Sequence, residues 1–153
     1  MQVRAVEIDA IPVVATAHQG AYTRIGETFE KLGEALKEQG LPGGSLIAIY
    51  YDDPHSTPEE NLRSYACAVV HGNTDVSASG LIRMEIPGGR YATATATGPY
   101  SNLPKAWEDF FIEGIGKSGL KTKPDLCFEK YLNTMGEVAP DALVTELYAP
   151  IEG

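Results

Sequence analysis

Cysteine is scarce in this chain. Only Cys67 and Cys127 are present, and both sit inside apolar, strand-like segments. Two thiols so placed read as buried and free in a reducing compartment rather than as a disulfide. There is no CxxC and no Cys/His cluster, so no structural metal is expected. No nucleotide or cofactor motif is present either: Gly88-Gly89 reads as a hairpin-like turn, not a phosphate cradle, and no cofactor is expected. Long apolar runs are missing too. None approaches the roughly 20 residues needed to cross a bilayer. The N-terminal MQVRAVEIDAIP alternates and carries acids, with no basic stretch leading into an apolar one. No signal peptide is read there, and a cytoplasmic location is expected. Positive charge is also in short supply. Twelve Lys and Arg face 21 Asp and Glu, for a net charge of −9. That field repels phosphates and no basic stripe offsets it, so direct nucleic-acid binding is not expected.

What is present is a globular composition. Hydrophobic residues make up 43% and charged residues 22%, which argues against disorder. The length suits one domain, 1–153. Sliding the sequence by 78 positions exposes a repeat. Glu7-Ile8 falls on Glu85-Ile86, and Gly20-Ala21-Tyr22 on Gly98-Pro99-Tyr100. Ile25, Phe29 and Leu32 fall on Leu103, Trp107 and Phe110. The offset then drifts, and Tyr51 falls on Tyr131. The repeats span approximately 1–72 and 79–151, with Asn73–Ser79 as a polar joint.

Each repeat reads strand, strand, helix, strand, strand. Val3–Ile8 and Pro12–His18 are strand-like. Tyr22–Gln39 carries Ile25, Phe29, Leu32 and Leu36 at helical spacing. Gly40 is the expected C-cap and 41–44 a breaker. Ser45–Tyr51 and Leu62–Val70 read as strands. The second repeat gives strands near Leu81–Ile86, Arg90–Ala96, Leu126–Leu132 and Leu143–Tyr148, and a helix near Leu103–Gly116 with Trp107, Phe110 and Phe111 on one stripe. The fold class is α+β, with duplicated β-α-β-β units forming an antiparallel sheet with two helices packed on it.

Strand alternation puts Cys127, Glu129 and Tyr131 on one face of their strand, and Val144, Glu146 and Tyr148 on one face of theirs. Two Glu-x-Tyr pairs result. A carboxylate among aromatic rings neutralises a cation that the rings also attract. A partly desolvated Glu also serves as a general acid or base beside a Tyr donor. A solvent-facing Glu on an edge strand fits the same pattern, and alternation alone leaves open which Glu faces a groove. Tyr50, Tyr51, Tyr91, Tyr100 and Trp107 add aromatic surface for a core or a pocket wall. His18 ends its strand just before Gly20. His55 and His71 read as loop residues, and no Ser/His/Asp arrangement is found.

The strings His18-Gln-Gly-Ala-Tyr22, Tyr50-Tyr-Asp-Asp-Pro54, Leu62-Arg63, Ile86-Pro-Gly-Gly89, Gly98-Pro-Tyr100, Ala106-Trp107, Phe128-Glu-Lys-Tyr-Leu-Asn133 and Glu146-Leu-Tyr-Ala-Pro-Ile151 run in order along nearly the whole chain. Together they resemble the GyrI-like effector-binding domains. The resemblance implies the duplicated SHS2-type fold and a groove for hydrophobic, often cationic or aromatic, molecules. It implies Glu146 as the acid that faces a cation, with Trp107, Tyr131 and Tyr148 as its neighbours and Phe111, Tyr100, Tyr51 and His18 as further ligand contacts. Where the family often carries an acid, Arg63-Ser-Tyr-Ala-Cys67 has Tyr65, and Ala96 stands opposite His18 in the second repeat. These departures speak against symmetric acidic sites. With the domain's first strand at the N-terminus, a stand-alone member is expected rather than a transcription regulator.

Three functions follow as expectations. One is a stand-alone binder that sequesters or senses small amphipathic molecules, with no membrane partner. The second is a hydrolase of cyclopropane-type electrophiles, with Glu146 activating water and Tyr131 steadying developing charge. The third is a protein-interaction inhibitor of DNA gyrase.

Overall fold

The computed structural model describes residues 1–41, 44–71, 80–134 and 136–153. Part of the 41–44 breaker and the whole 73–79 joint lie outside the described residues. In chain order the elements are β1 (Arg4–Ile8), β2 (Ile11–Gln19), α1 (Ile25–Glu38), β3 (Leu46–Tyr50), β4 (Arg63–Val69), β5 (Ile82–Ile86), β6 (Gly89–Thr97), α2 (Leu103–Asp109), α3 (Gly116–Ser118), β7 (Cys127–Tyr131) and β8 (Val144–Pro150). A π turn, Phe110–Ile115, joins α2 to α3. The fold class is α+β, and the paired strands run antiparallel. The chain divides into two compact units, Ala10–Pro87 and Met1–Asp9 with Gly88–Gly153.

In the unit Ala10–Pro87, the strand order is β3-β4-β2-β5. α1 packs on β2 and β4 with Ile25, Leu32 and Leu36 buried as their spacing predicts; Thr28 is buried with them, while Phe29, also read onto that face, is only partly buried. Leu32 is 1% exposed, and cutting it to Ala removes about 2–5 kcal/mol of stability. The helix stops at a left-handed Gly40, φ +65°. Gly40 N–H bonds the Lys37 carbonyl and Leu41 N–H the Leu36 carbonyl, which satisfies carbonyls the helix end leaves open.

In the other unit the order is β7-β8-β6-β1, the same arrangement with β1 in the place of β5. β1 therefore pairs with β6, and β5 with β2. The expected hairpin at Pro87-Gly88-Gly89 is not formed. The flanking strands β5 and β6 alternate correctly, but they do not pair with each other: β5 pairs with β2, and β6 with β1 and β8. Ala92, Ala94, Phe110, Ile115, Leu147, Ala149 and Ile151 form this unit's buried core, with Leu103, Ala106, Trp107 and Cys127 packed against it.

The Gly-x-Tyr motif has the same job in each unit. Gly20 and Gly98 take φ of +107° and +127°, where a side chain is strained. The turn each makes brings its N–H to a carbonyl across the sheet, Leu62 or Leu143. The Tyr two residues on then clamps the exit of the third strand. Tyr22 hydroxyl accepts the Asp52 N–H at 3.0 Å and lies within 3.1 Å of the Asp52 and Arg63 carbonyls. Tyr100 hydroxyl donates to the Asn133 carbonyl at 3.3 Å.

Candidate functional site

The ladder register decides which side chains meet. β7 pairs with β8 so that Glu129 stands opposite Leu147, and Leu147 opposite Ala94 of β6. Leu147 and Ala94 belong to the core under α2, so Glu129 lies on the helix-covered face with Cys127 and Tyr131. Glu129 is 2% exposed. Its Oε1 accepts the indole N–H of Trp107 at 2.6 Å, and its Oε2 accepts the hydroxyl of Tyr131 at 2.6 Å.

Both contacts have the length of charge-assisted bonds. An indole N–H can only donate, and Tyr131 also donates, which suits an ionised carboxylate. Desolvating such a group is costly, and the two donors offset much of that cost. Both donors are neutral, so neither cancels the charge they hold.

Rings surround the carboxylate. Trp107 meets Phe110 edge-on at 5.5 Å and stacks on Phe111 at 5.8 Å. This follows from helical spacing, since positions three and four residues on share a face. Phe110 is fully buried, whereas Phe111 is 41% exposed. Tyr131 packs against Tyr100 with centroids 5.4 Å apart. The Tyr100 phenol is held above its ordinary pKa, by burial first and then by the charges of Glu129 and Glu137. Trp107, Tyr131 and Tyr100 are each partly exposed. The arrangement is an aromatic surface with a buried carboxylate behind it.

Glu146 and Tyr148 are elsewhere. In register, Lys130 faces Glu146 and Phe128 faces Tyr148, so both lie on the sheet face opposite Trp107, Tyr131 and Tyr100. Tyr148 donates to Glu146 Oε1 at 3.0 Å and stacks on Phe128 at 4.5 Å, with Tyr91 edge-on at 6.3 Å. Burial first, then the bond to Glu146, pushes the Tyr148 phenol up to about 12. The expected set of Glu146 with Trp107 and Tyr131 is therefore not assembled, and Glu129 occupies that place. Period two sorts residues within a strand, but it does not say which of the two faces the helix covers. An apolar neighbour does not select Glu129 either, since Cys127 stands two residues before it just as Val144 stands two residues before Glu146.

Tyr51 and His18 belong to the unit Ala10–Pro87. Tyr51 meets Tyr65 edge-on at 5.8 Å, with the Arg63 guanidinium 5.6 Å from its ring. His18 Nε2 donates to the Ala21 carbonyl at 2.9 Å, and Nδ1 lies 2.7 Å from Thr28 Oγ1. A groove of about 480 Å³ beside His18 is lined by Arg24, Glu27, Lys31, Glu59 and Glu60, charges of both signs with little apolar wall. Register also shows that Tyr50, not Tyr51, matches Tyr131: Tyr50 faces Ser64 as Tyr131 faces Thr145. The row Thr16-Ala66-Ala48 then stands where Ala94-Leu147-Glu129 stands in the other unit. Ala48 replaces the carboxylate, so the acid is present in one unit only.

Both cysteines are free, and burial pushes the Cys67 thiol far up and the Cys127 thiol to about 12, which keeps them unreactive. Among the described residues no His/Cys/Asp/Glu group could hold a metal, and no helix is long and apolar enough to cross a membrane.

The sequence matches the GyrI-like small molecule binding domain over residues 1–152. The chain belongs to the GyrI-like family. Among its GyrI-like relatives, the DNA gyrase inhibitor of Escherichia coli strain K12 is 34% identical over 111 residues, 71% of each chain. The EcmrR C-terminal domain superposes with a TM-score of 0.78 at 19% identity, covering 99% of this chain and 97% of that one. A structure of SAV2435 bound to tetraphenylphosphonium gives 0.70 at 13% identity, covering 100% and 95%. These two likenesses establish the GyrI-like fold.

Proposed function

We propose that this chain is a binder that sequesters or senses small, apolar, positively charged molecules at the surface formed by Trp107, Tyr131 and Tyr100. One observation carries the reading. Glu129 is a carboxylate 2% exposed, held by two neutral donors at 2.6 Å each and ringed by aromatics. Such a group stabilises a cation on the aromatic surface through the low-dielectric interior, and the ring faces add cation–π attraction. The family's small-molecule role supports this, and so does the lipophilic cation bound by SAV2435.

The test is titration of tetraphenylphosphonium into wild type, Glu129→Gln and Glu146→Gln, with a neutral polycyclic aromatic as control. Glu129→Gln should weaken the cation about tenfold or more, a loss of ~1.4 kcal/mol, and leave the neutral ligand nearly unchanged. Glu146→Gln should change neither. Equal cation affinity in wild type and Glu129→Gln sinks the reading. Mass spectrometry should recover the ligand intact, and a hydrolysed product would instead make the protein an enzyme.

Interference with DNA gyrase is a second reading, favoured by the name of the relative at 34% identity and by the net charge of −9. Supercoiling by gyrase that is unmoved by excess protein removes it.

A further inference from the structure

We infer that the site selects cations that carry no N–H, quaternary ammonium or phosphonium, over protonated amines of the same shape. The inference rests on the reading that Glu129 binds cations, and it comes from how the carboxylate is already used. Each of its oxygens accepts a bond at 2.6 Å, Oε1 from Trp107 and Oε2 from Tyr131.

A primary ammonium brings three N–H donors that leave water on binding, and each needs an acceptor in exchange. At this site the acceptor is engaged and lies behind its donors, 2% exposed. The partly exposed residues that cover it are aromatic: Trp107, Tyr131 and, beside them, Tyr100. Trp107 is stacked on Phe111 and edge-on to Phe110, so its indole is held with the N–H turned toward Glu129 and away from an incoming ligand. Tyr131 spends its hydroxyl proton on Oε2 and packs its ring on Tyr100. An ammonium there keeps its charge stabilisation but exchanges three bonds to water for, at most, the weaker phenol oxygens of Tyr131 and Tyr100. An onium centre clothed in carbon had no donors to lose. It gains from the rings and from the charge behind them. The two neutral donors thus act as a specificity device, screening Glu129 from N–H groups while leaving its field in place.

The experiment uses (4-phenylbenzyl)trimethylammonium and 4-phenylbenzylammonium, both cationic at pH 7, titrated calorimetrically into the full chain. Wild type should bind the quaternary compound at least about fivefold more tightly. Three extra methyls add apolar area, so the ratio in wild type is not sufficient alone. Trp107→Phe removes the donor on Oε1, and Tyr131→Phe, as a second variant with an independent packing effect, removes the donor on Oε2. Each should improve the primary ammonium relative to the quaternary one and bring the ratio toward unity. A ratio that stays put in both folded variants overturns the inference while leaving cation binding intact. So does wild type binding the primary ammonium as tightly. If neither compound binds, or if Glu129→Gln leaves both affinities unchanged, the underlying reading of Glu129 fails, and the selectivity argument fails with it.

Discussion

Trp107 is the one tryptophan of the chain, and its indole nitrogen lies 2.6 Å from Glu129 Oε1. Its fluorescence therefore reports on the candidate site without a label. Excitation moves electron density from the pyrrole to the benzene ring of indole. A carboxylate at the pyrrole N–H thus lowers the excited state more than the ground state. Glu129→Gln should shift the emission maximum to shorter wavelength. Glu146→Gln, on the opposite sheet face, should leave it in place. A shift of equal size in both variants would contradict the assignment of Glu129 to the Trp107 face.

Ser64 is 2% exposed, and its buried hydroxyl has no hydrogen-bond partner among the described residues. Burying such a group unsatisfied costs about 1–3 kcal/mol, and replacing it by a methyl of similar shape removes that cost. Ser64→Ala should therefore leave stability unchanged or raise it, with an unaltered urea m-value. A loss greater than about 1 kcal/mol would show that the hydroxyl has a partner worth keeping.

Asp52 accepts the Arg63 backbone N–H at 2.8 Å and two guanidinium bonds at 3.0 and 3.1 Å. The Arg63 side-chain bond is the main cause that holds the Asp52 carboxyl below its ordinary pKa. A depressed folded pKa means that the stabilisation is present above the unfolded value and fades as pH falls through the folded one. Asn133 occupies the matching place in the other unit and holds the Val144 N–H with its side-chain oxygen at 2.9 Å. An uncharged Asn can therefore carry the backbone bond. Asp52→Asn should melt slightly below wild type at pH 7, and the gap should close as pH falls below the ordinary carboxylate range. A gap that widens on acidification contradicts the linkage.

Gly114 packs so tightly that a methyl there would fall inside van der Waals contact of Val3 Cγ2. Its φ is not in the left-handed region, so the constraint is space and not backbone conformation. Gly114→Ala should destabilise by about 1–3 kcal/mol through overpacking. Val3→Ala should recover part of that loss, and a double-mutant cycle measures the coupling. Additive effects would mean that the chain before β1 relaxes away without cost.

The sequence alone determined the elements and the repeated motif. Period two placed eight strands within a residue or two of their observed bounds, and helical spacing placed the two main helices, because each apolar stripe must be covered along its own segment; α1 starts three residues after Tyr22, and α2 gives way to the π turn at Phe110. The Gly-x-Tyr repeat foretold two equivalent turns, because a left-handed glycine and a clamping phenol are local requirements. The partners of β1 and β5 were another matter. Local signals place Pro87-Gly88-Gly89 in a turn, but only the tertiary structure sends the strands on either side to different ladders. The same holds at the site. Glu129-Lys-Tyr131 and Glu146-Leu-Tyr148 are near-identical strings, and both alternate correctly. The antiparallel register sets Glu129 opposite Leu147 and Glu146 opposite Lys130, and so puts one carboxylate beneath α2 and the other on the reverse face. A register is a relation between strands distant in sequence, set by packing that no single segment encodes.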